Sequence, residues 1–170
     1  INCINECVKY NATLIFLSTS RVYPIQTIEN ANYTEEETRF SFSKKQNCIG
    51  ISEKGISEEI NLYGSRSFYG TTKLASELFI QEYQSFYNLN SAITRFGVIA
   101  GPRQMGKTDQ GIATLWLAKH YWNQNLSYIG YGGKGKQVRD IIHIDDVINL
   151  IDLQIHNISL FKGKIYNAGG

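Results

Sequence analysis

Tyr69 and Lys73 stand four residues apart in Tyr69-Gly70-Thr71-Thr72-Lys73. On a helix that spacing puts both side chains on one face. A free phenol titrates near ~10, too high for a base at neutral pH. A neighbouring ammonium favours the phenolate. Tyr69 could then take a hydroxyl proton while hydride leaves the same carbon. The spacing alone is met equally by a solvated helix pair, so the surrounding elements must decide. Ser18-Thr19-Ser20 supplies a second cluster, at the end of an apolar run. A hydroxyl there could hydrogen-bond the oxygen that Tyr69 deprotonates; a turn or cap would use the same residues.

Other motifs point less far. Gly130, Gly132 and Gly135 satisfy G-x-G-x-x-G, and Gly130 to Lys136 satisfies G-x4-G-K. Both patterns bind phosphate only where a strand ends and a helix begins. Here Val138 to Ile144 alternates like a strand, and position 137 is Gln where magnesium would need Ser or Thr. The segment is expected to be a tight hairpin turn between strands at Leu126–Ile129 and Gln137–Ile142. Cys3, Cys7 and Cys48 are too few for a disulfide framework and fit a reducing compartment. Cys3 and Cys7 share a helix face and are expected in helix packing, with no further ligands to complete a metal site. His120, His143 and His156 match no zinc spacing. No metal is expected.

The elements that must position Tyr69 and Thr19 follow from hydrophobic patterning. Residues 1–10 read as the back half of a helix. Thr13 to Ser18 (TLIFLS) and Ser91 to Phe96 (SAITRF) read as buried strands. Ser67 is a candidate N-cap for a helix running to Phe86. Gly111 to Trp122 reads as another helix, and one begins at Asp145 or Asp146 and runs to His156. Lys164 to Asn167 is a last strand. The polar stretch from Pro24 to Ser65 reads as a lid or insertion. Strand and helix alternating in this order give an α/β layered sheet, and ligands bind such sheets at the carboxyl ends of strands. That is where Ser18-Thr19-Ser20 falls.

Composition sets the outer bounds. The chain has 170 residues, 42% of them hydrophobic, enough for a core and too many for a disordered segment. The net charge of +2, with no basic block, gives no ground for nucleic-acid binding. No run reaches the ~18 apolar residues of a membrane span. The first residue is Ile and the last are Gly169-Gly170, so the sequence reads as a piece of a longer protein.

Taken in order, Leu17-Ser18-Thr19-Ser20-Arg21-Val22-Tyr23, Tyr69-x-x-x-Lys73, Arg95-Phe96 leading to Gly101-Pro102, and Val138-Arg139-Asp140 with His143-x-Asp145-Asp146 resemble the extended short-chain dehydrogenase/reductases. More narrowly they resemble the NAD-dependent nucleotide-sugar epimerases and dehydratases. Four stretches, Ser18–Tyr23, Lys54–Glu58, Gly97–Gly111 and Gly133–Asp140, resemble the 2-epimerases acting on CDP-hexoses in lipopolysaccharide O-antigen synthesis. The resemblance implies a Rossmann-like doubly wound parallel sheet, partial because its first half would precede Ile1, with part of a smaller substrate-binding domain. Residues 1–100 would be the C-terminal half of the NAD-binding domain, with the inserted loop at about 24–65. Residues 101–170 would be a mixed substrate-binding region with returning Rossmann elements.

The same resemblance assigns roles. Tyr69 matches the catalytic base, Lys73 its partner, which also grips the nicotinamide ribose, and Thr19 the catalytic Ser or Thr. Ser18, Tyr69, Lys73, Arg95 and Val98 fall on the cofactor side. Thr19, Arg139, Lys107, Gln104 and Gln110 fall on the substrate side, with Arg139 holding the diphosphate by its guanidinium fork. Arg139 could equally form a surface ion pair with Asp140 or Asp145. Asp145 and Asp146 read as helix-start residues. Sugar dehydratases of the family carry Asp-Glu after the catalytic Thr; Ser20 and Arg21 stand there, which disfavours dehydration. Many relatives carry Asn where Val98 stands, so the sugar would be held differently from a typical 4-epimerase. The implied reaction is transient oxidation of a hexose hydroxyl with bound NAD, a keto sugar, and re-reduction on the opposite face. The enzyme would be a cytoplasmic isomerase and a homo-oligomer. A UDP-sugar 4-epimerase, a reductase and an inactive truncated remnant are the alternatives.

Overall fold

The structure, a computed structural model, describes residues 1–108 and 110–170. Its elements in chain order are α1 (Asn2–Lys9), β1 (Leu14–Thr19), α2 (Ile25–Glu29), β2 (Tyr33–Glu35), β3 (Phe40–Phe42), β4 (Ile51–Ser52), β5 (Gly55–Ile56), α3 (Phe68–Tyr87), β6 (Ser91–Phe96), β7 (Val98–Ala100), α4 (Ile112–Tyr121), β8 (Ile141–His143), α5 (Ile144–His156), α6 (Ile158–Phe161) and β9 (Ile165–Ala168). The helices and strands expected around 1–10, 13–18, 67–86, 91–96, 111–122, 145–156 and 164–167 are all present, shifted by a residue or two.

The main sheet runs β1-β6-β9, parallel throughout. All six residues of β6 are buried, as a central parallel strand covered on both faces should be. On one face α3 packs through Ile80, joining Ile4, Leu89 and Ile93 in one apolar cluster with Cys7 at its margin. Completely burying Ile80 or Ile93 is worth roughly 1.5–3 kcal/mol each. The second face is covered by α5, where Val147 meets Phe96 and Ile142. Cys7 packs as expected, but Cys3 is exposed, because α1 turns its other stripe, through Ile4, to the cluster. Helix α3 starts where the sequence places it: Ser67 Oγ accepts from Gly70 N at 3.1 Å. It stops at Asn88, whose φ of 53° closes a left-handed cap.

The 24–65 stretch is built structure and not a plain polar loop. It folds into α2 and two antiparallel hairpins, β2-β3 and β4-β5. Its Ile51, Ile60 and Ala31 join Val22, Tyr23 and Leu74 in a cluster of their own. Charged residues around these few apolar anchors masked them in the sequence.

The hairpin expected at the glycine-rich segment does not form. Gly130, Gly132, Gly133, Gly135 and Tyr131 all take positive φ, which coils the chain and keeps residues 126–129 out of a strand. The following strand is short, Ile141–His143, and pairs in parallel with β7. No long helix opens at the loop, consistent with its exclusion as a phosphate cradle. Instead Lys134 and Lys136 reach Glu35 of β2 at 3.0 and 2.9 Å. Hydrogen bonds from Lys136 and Lys134 hold the Glu35 carboxyl below the usual carboxylate range. A depressed value in the folded protein favours docking at neutral pH, and the gain is lost as pH falls through that lowered value. Amide protection across residues 130–137, taken relative to the intrinsic exchange rate at each pH, should therefore fall as acid protonates Glu35, and Glu35→Gln should abolish that acid dependence.

Candidate active site

The carboxyl ends of β1, β6 and β9 lie in one line, with Thr19 paired to Phe96 and Phe96 to Ala168. Helix α3 brings its first turn to that edge. Tyr69 is 52% exposed there. Lys73, one turn on, donates from Nζ to the Leu17 carbonyl of β1 at 2.8 Å, and its charge lies 4.9 Å from the centre of the Phe16 ring. An ammonium has three donors, so the anchoring bond leaves donors free beside Tyr69. Thr19 Oγ1 accepts from Arg21 N at 3.3 Å, capping the short turn at residues 20–22. The Thr19 hydroxyl thus acts as a cap and keeps its proton to donate.

Gly70 sets the distance between these parts. A Cβ at Gly70 would lie 2.0 Å from the Arg21 carbonyl oxygen, so the absence of a side chain lets α3 sit against the Thr19 turn. Gly70→Ala is expected to destabilise by about 1–3 kcal/mol through forced displacement. Thermal melting of the parent and the variant side by side measures this. An unchanged melting point would mean that the turn yields freely.

Two residues expected on the cofactor side face inward instead. Ser18 is buried and donates its hydroxyl to Glu77 Oε1 of α3. Arg95 is 3% exposed and clasps Glu77, Nε at 3.1 and 3.2 Å from the two carboxylate oxygens and Nη2 at 2.6 Å from Oε2. Its Nη1 donates to Tyr23 Oη at 3.2 Å. Both side chains are spent within the protein because a buried charge must be paired where it lies. Tyr23 donates to Asn167 Oδ1 of β9, and Asn167 Nδ2 donates to Ile56 O at 3.1 Å. The Asn167 backbone N–H donates to Glu58.

The sequence assigns no role to Glu77 or Asn167, and Tyr23 enters only as the end of the Leu17–Tyr23 motif. Glu77 stands four residues beyond Lys73, as Lys73 does beyond Tyr69, and that continued spacing was the available signal. Burial raises the Tyr23 phenol, outweighing the lowering from Arg95 and from the Asn167 hydrogen bond. Tyr23 is therefore neutral and no rival base to Tyr69. Burial works against the Arg95 charge, but its bonds to Glu77 and Tyr23 prevail and hold it above the ordinary arginine value.

The remaining expected residues divide. Arg139 is exposed and donates from Nη1 to Val138 O at 3.0 Å. Among the described residues it forms no ion pair. Asp140, its neighbour, accepts instead from Gly170 N at 3.0 Å. Val98 lies half-buried in β7 and donates its backbone N–H to Asp140 O at 2.8 Å, fixing the chain beside Arg139. Gln104 is half-buried; its Nε2 donates to Ile99 O at 2.9 Å and its Oε1 accepts from Thr114 Oγ1 at 3.2 Å, which joins β7 to α4. One N–H and one oxygen lone pair of the amide stay uncommitted among the described residues. Lys107 and Gln110 are exposed between β7 and α4, exchanging backbone hydrogen bonds. Asp145 and Asp146 lie in the first turn of α5, as expected, with His143 as its N-cap.

A phenol and an ammonium held at the carboxyl edge of a parallel sheet place the chain among the Rossmann-like α/β folds. It belongs to the NAD dependent epimerase/dehydratase family, which matches residues 1–169. Among curated relatives, CDP-paratose 2-epimerase of Salmonella typhi is 30% identical over 174 residues, all of this chain and 48% of that protein. A putative UDP-glucose 4-epimerase of Methanocaldococcus jannaschii is 31% identical over 103 residues, 59% of this chain and 31% of that protein. Of solved structures, the UDP-glucuronic acid 4-epimerase of Bacillus cereus, in complex with UDP-glucuronic acid and NAD, shares the fold with a TM-score of 0.67 and 24% identity, covering 98% of this chain and 43% of that one. Pal from Bacillus thuringiensis does so with a TM-score of 0.70 and 22% identity, covering 99% and 44%. The chain spans about half the length, or less, of the curated relatives it matches. The family is NAD-dependent, and the chemistry of the donor set fits: Lys73 keeps donors beyond its bond to Leu17 O, and the Tyr69 hydroxyl is exposed, as binding a polyhydroxylated ribose would need.

Proposed function

We propose that the chain forms part of a nucleotide-sugar epimerase that acts by transient oxidation of a ring hydroxyl, with CDP-paratose as substrate and CDP-tyvelose as product. The observation that carries this reading is the Tyr69–Lys73 pair, with Lys73 anchored on Leu17 O and Tyr69 exposed beside the Thr19 turn. Lys73 and Tyr69 would hold NAD, which when bound supplies the acceptor and donor of hydride. Tyr69 takes the proton from the sugar hydroxyl and later returns it. Lys73 stands one turn from Tyr69 with its ammonium anchored on Leu17 O. Thr19 donates a hydrogen bond to the reacting oxygen. Arg139, exposed and without an ion-pair partner among the described residues, meets the diphosphate in its fork. Ser20 and Arg21 provide no acid–base pair after Thr19, which supports epimerisation over dehydration. The choice of a CDP-sugar and of C2 is supported by the Salmonella typhi relative.

Proton NMR of the full-length gene product with CDP-paratose, and no added cofactor, tests this. CDP-tyvelose should appear with no net change in NADH. A folded, NAD-loaded protein that leaves CDP-paratose intact and interconverts UDP-glucose with its 4-epimer would replace the substrate with the one suggested by the Methanocaldococcus jannaschii relative.

A further inference from the structure

We propose that the buried Glu77–Arg95 pair positions the catalytic turn of α3, making Glu77 a positioning residue for Tyr69 and Lys73. The inference rests on the reading of Tyr69 as the base. Helix α3 meets β1 through two side chains one turn apart: Lys73 on the Leu17 carbonyl and Glu77 on the Ser18 hydroxyl. Two attachments to consecutive residues of one strand fix both the rotation of the helix and its position along the strand. The second would be free to slide if Glu77 had no other restraint. Arg95 removes that freedom by gripping both carboxylate oxygens from β6, the neighbouring strand. Arg95 is itself held by Tyr23, which is held by Asn167 on β9. The helix is thereby referenced to all three strands whose ends make the site. Glu77 and Arg95 are 0% and 3% exposed, so they touch no ligand and act through what they hold.

The test uses the full-length protein with tyrosine labelled by carbon-13 at the ring carbon bearing the hydroxyl. The resonance missing from Tyr69→Phe identifies Tyr69, and its chemical shift is read without substrate. Glu77→Gln keeps the shape but orphans the Arg95 charge, which endangers folding. Glu77→Gln with Arg95→Met removes the orphan and restores stability. In this double variant the Tyr69 resonance should move away from its parent chemical shift as the first turn of α3 and Lys73 lose their setting. Its kcat should fall ~10- to 100-fold with KM nearly unchanged. A folded double variant with the parent Tyr69 resonance and the parent kcat overturns the proposal and leaves the pair a packing element. Because the resonance is read without substrate, a wrong sugar in the proposed function would leave this result standing.

Discussion

Tyr69→Phe in the full-length protein is expected to fold as the parent does and to lose about 10³-fold of its turnover. The fold should survive because the Tyr69 side chain is half exposed at the first turn of α3. Its hydroxyl belongs to no hydrogen bond described within the protein, so removing it orphans nothing. Turnover should collapse because no other group at the sheet edge can replace it. Tyr23 is buried and held neutral, with its hydroxyl committed between Arg95 and Asn167. Lys73 is a cation anchored on Leu17 O, and the Thr19 hydroxyl is far too weak a base. Initial rates, melting temperature and bound NAD, measured together, separate loss of the base from loss of the fold. Turnover within tenfold of the parent would remove Tyr69 from the role.

Arg95→Met is expected to lower stability by about 3–5 kcal/mol, the cost of leaving a buried carboxylate without its partner. Glu77 is fully buried, and Arg95 supplies three of its close contacts. Ser18 would remain as one donor, insufficient for a full charge. Against a typical total of about 5–15 kcal/mol this is a large share, and the urea midpoint should fall accordingly. The outcome separates a sealed interior from a wet one: a loss below about 1 kcal/mol would mean that water reaches the carboxylate.

The fold was legible where periodicity was strong. TLIFLS and SAITRF carried enough apolar and β-branched residues to be read as strands, and Ser67 announced α3 through its capping chemistry. The site was legible in part. Tyr69 and Lys73 fall in the first two turns of α3 and Thr19 at the end of β1, places that the sequence marks. Ser18 and Arg95 were misplaced because alternation along a strand does not tell which face a neighbouring helix will cover. Gln104 is ambiguous in sequence because an amide serves equally well as a ligand contact or as a tie between two segments. The Glu77–Arg95–Tyr23–Asn167 chain was invisible because its members are joined only across the tertiary fold; Tyr23 and Asn167 are 144 residues apart in sequence. The glycine-rich segment failed as a hairpin because successive left-handed residues coil the chain away from a partner strand.

The level ends of β1, β6 and β9 bear on how such a protein can change. The buried side chains of the α3 face, Ile4, Ile80, Leu89 and Ile93, all lie off the segments that leave those strand ends. Loops leaving a rigid scaffold tolerate replacement far better than the scaffold does. The segment after Phe96 can therefore be exchanged between relatives without repacking that face, whereas the segment after Thr19 carries Val22 and Tyr23, which pack with Leu74 and hold Arg95. Laboratory recombination has a natural crossover point at the end of β6. New specificities are best sought in libraries that hold the sheet, α3 and the Glu77–Arg95 pair constant.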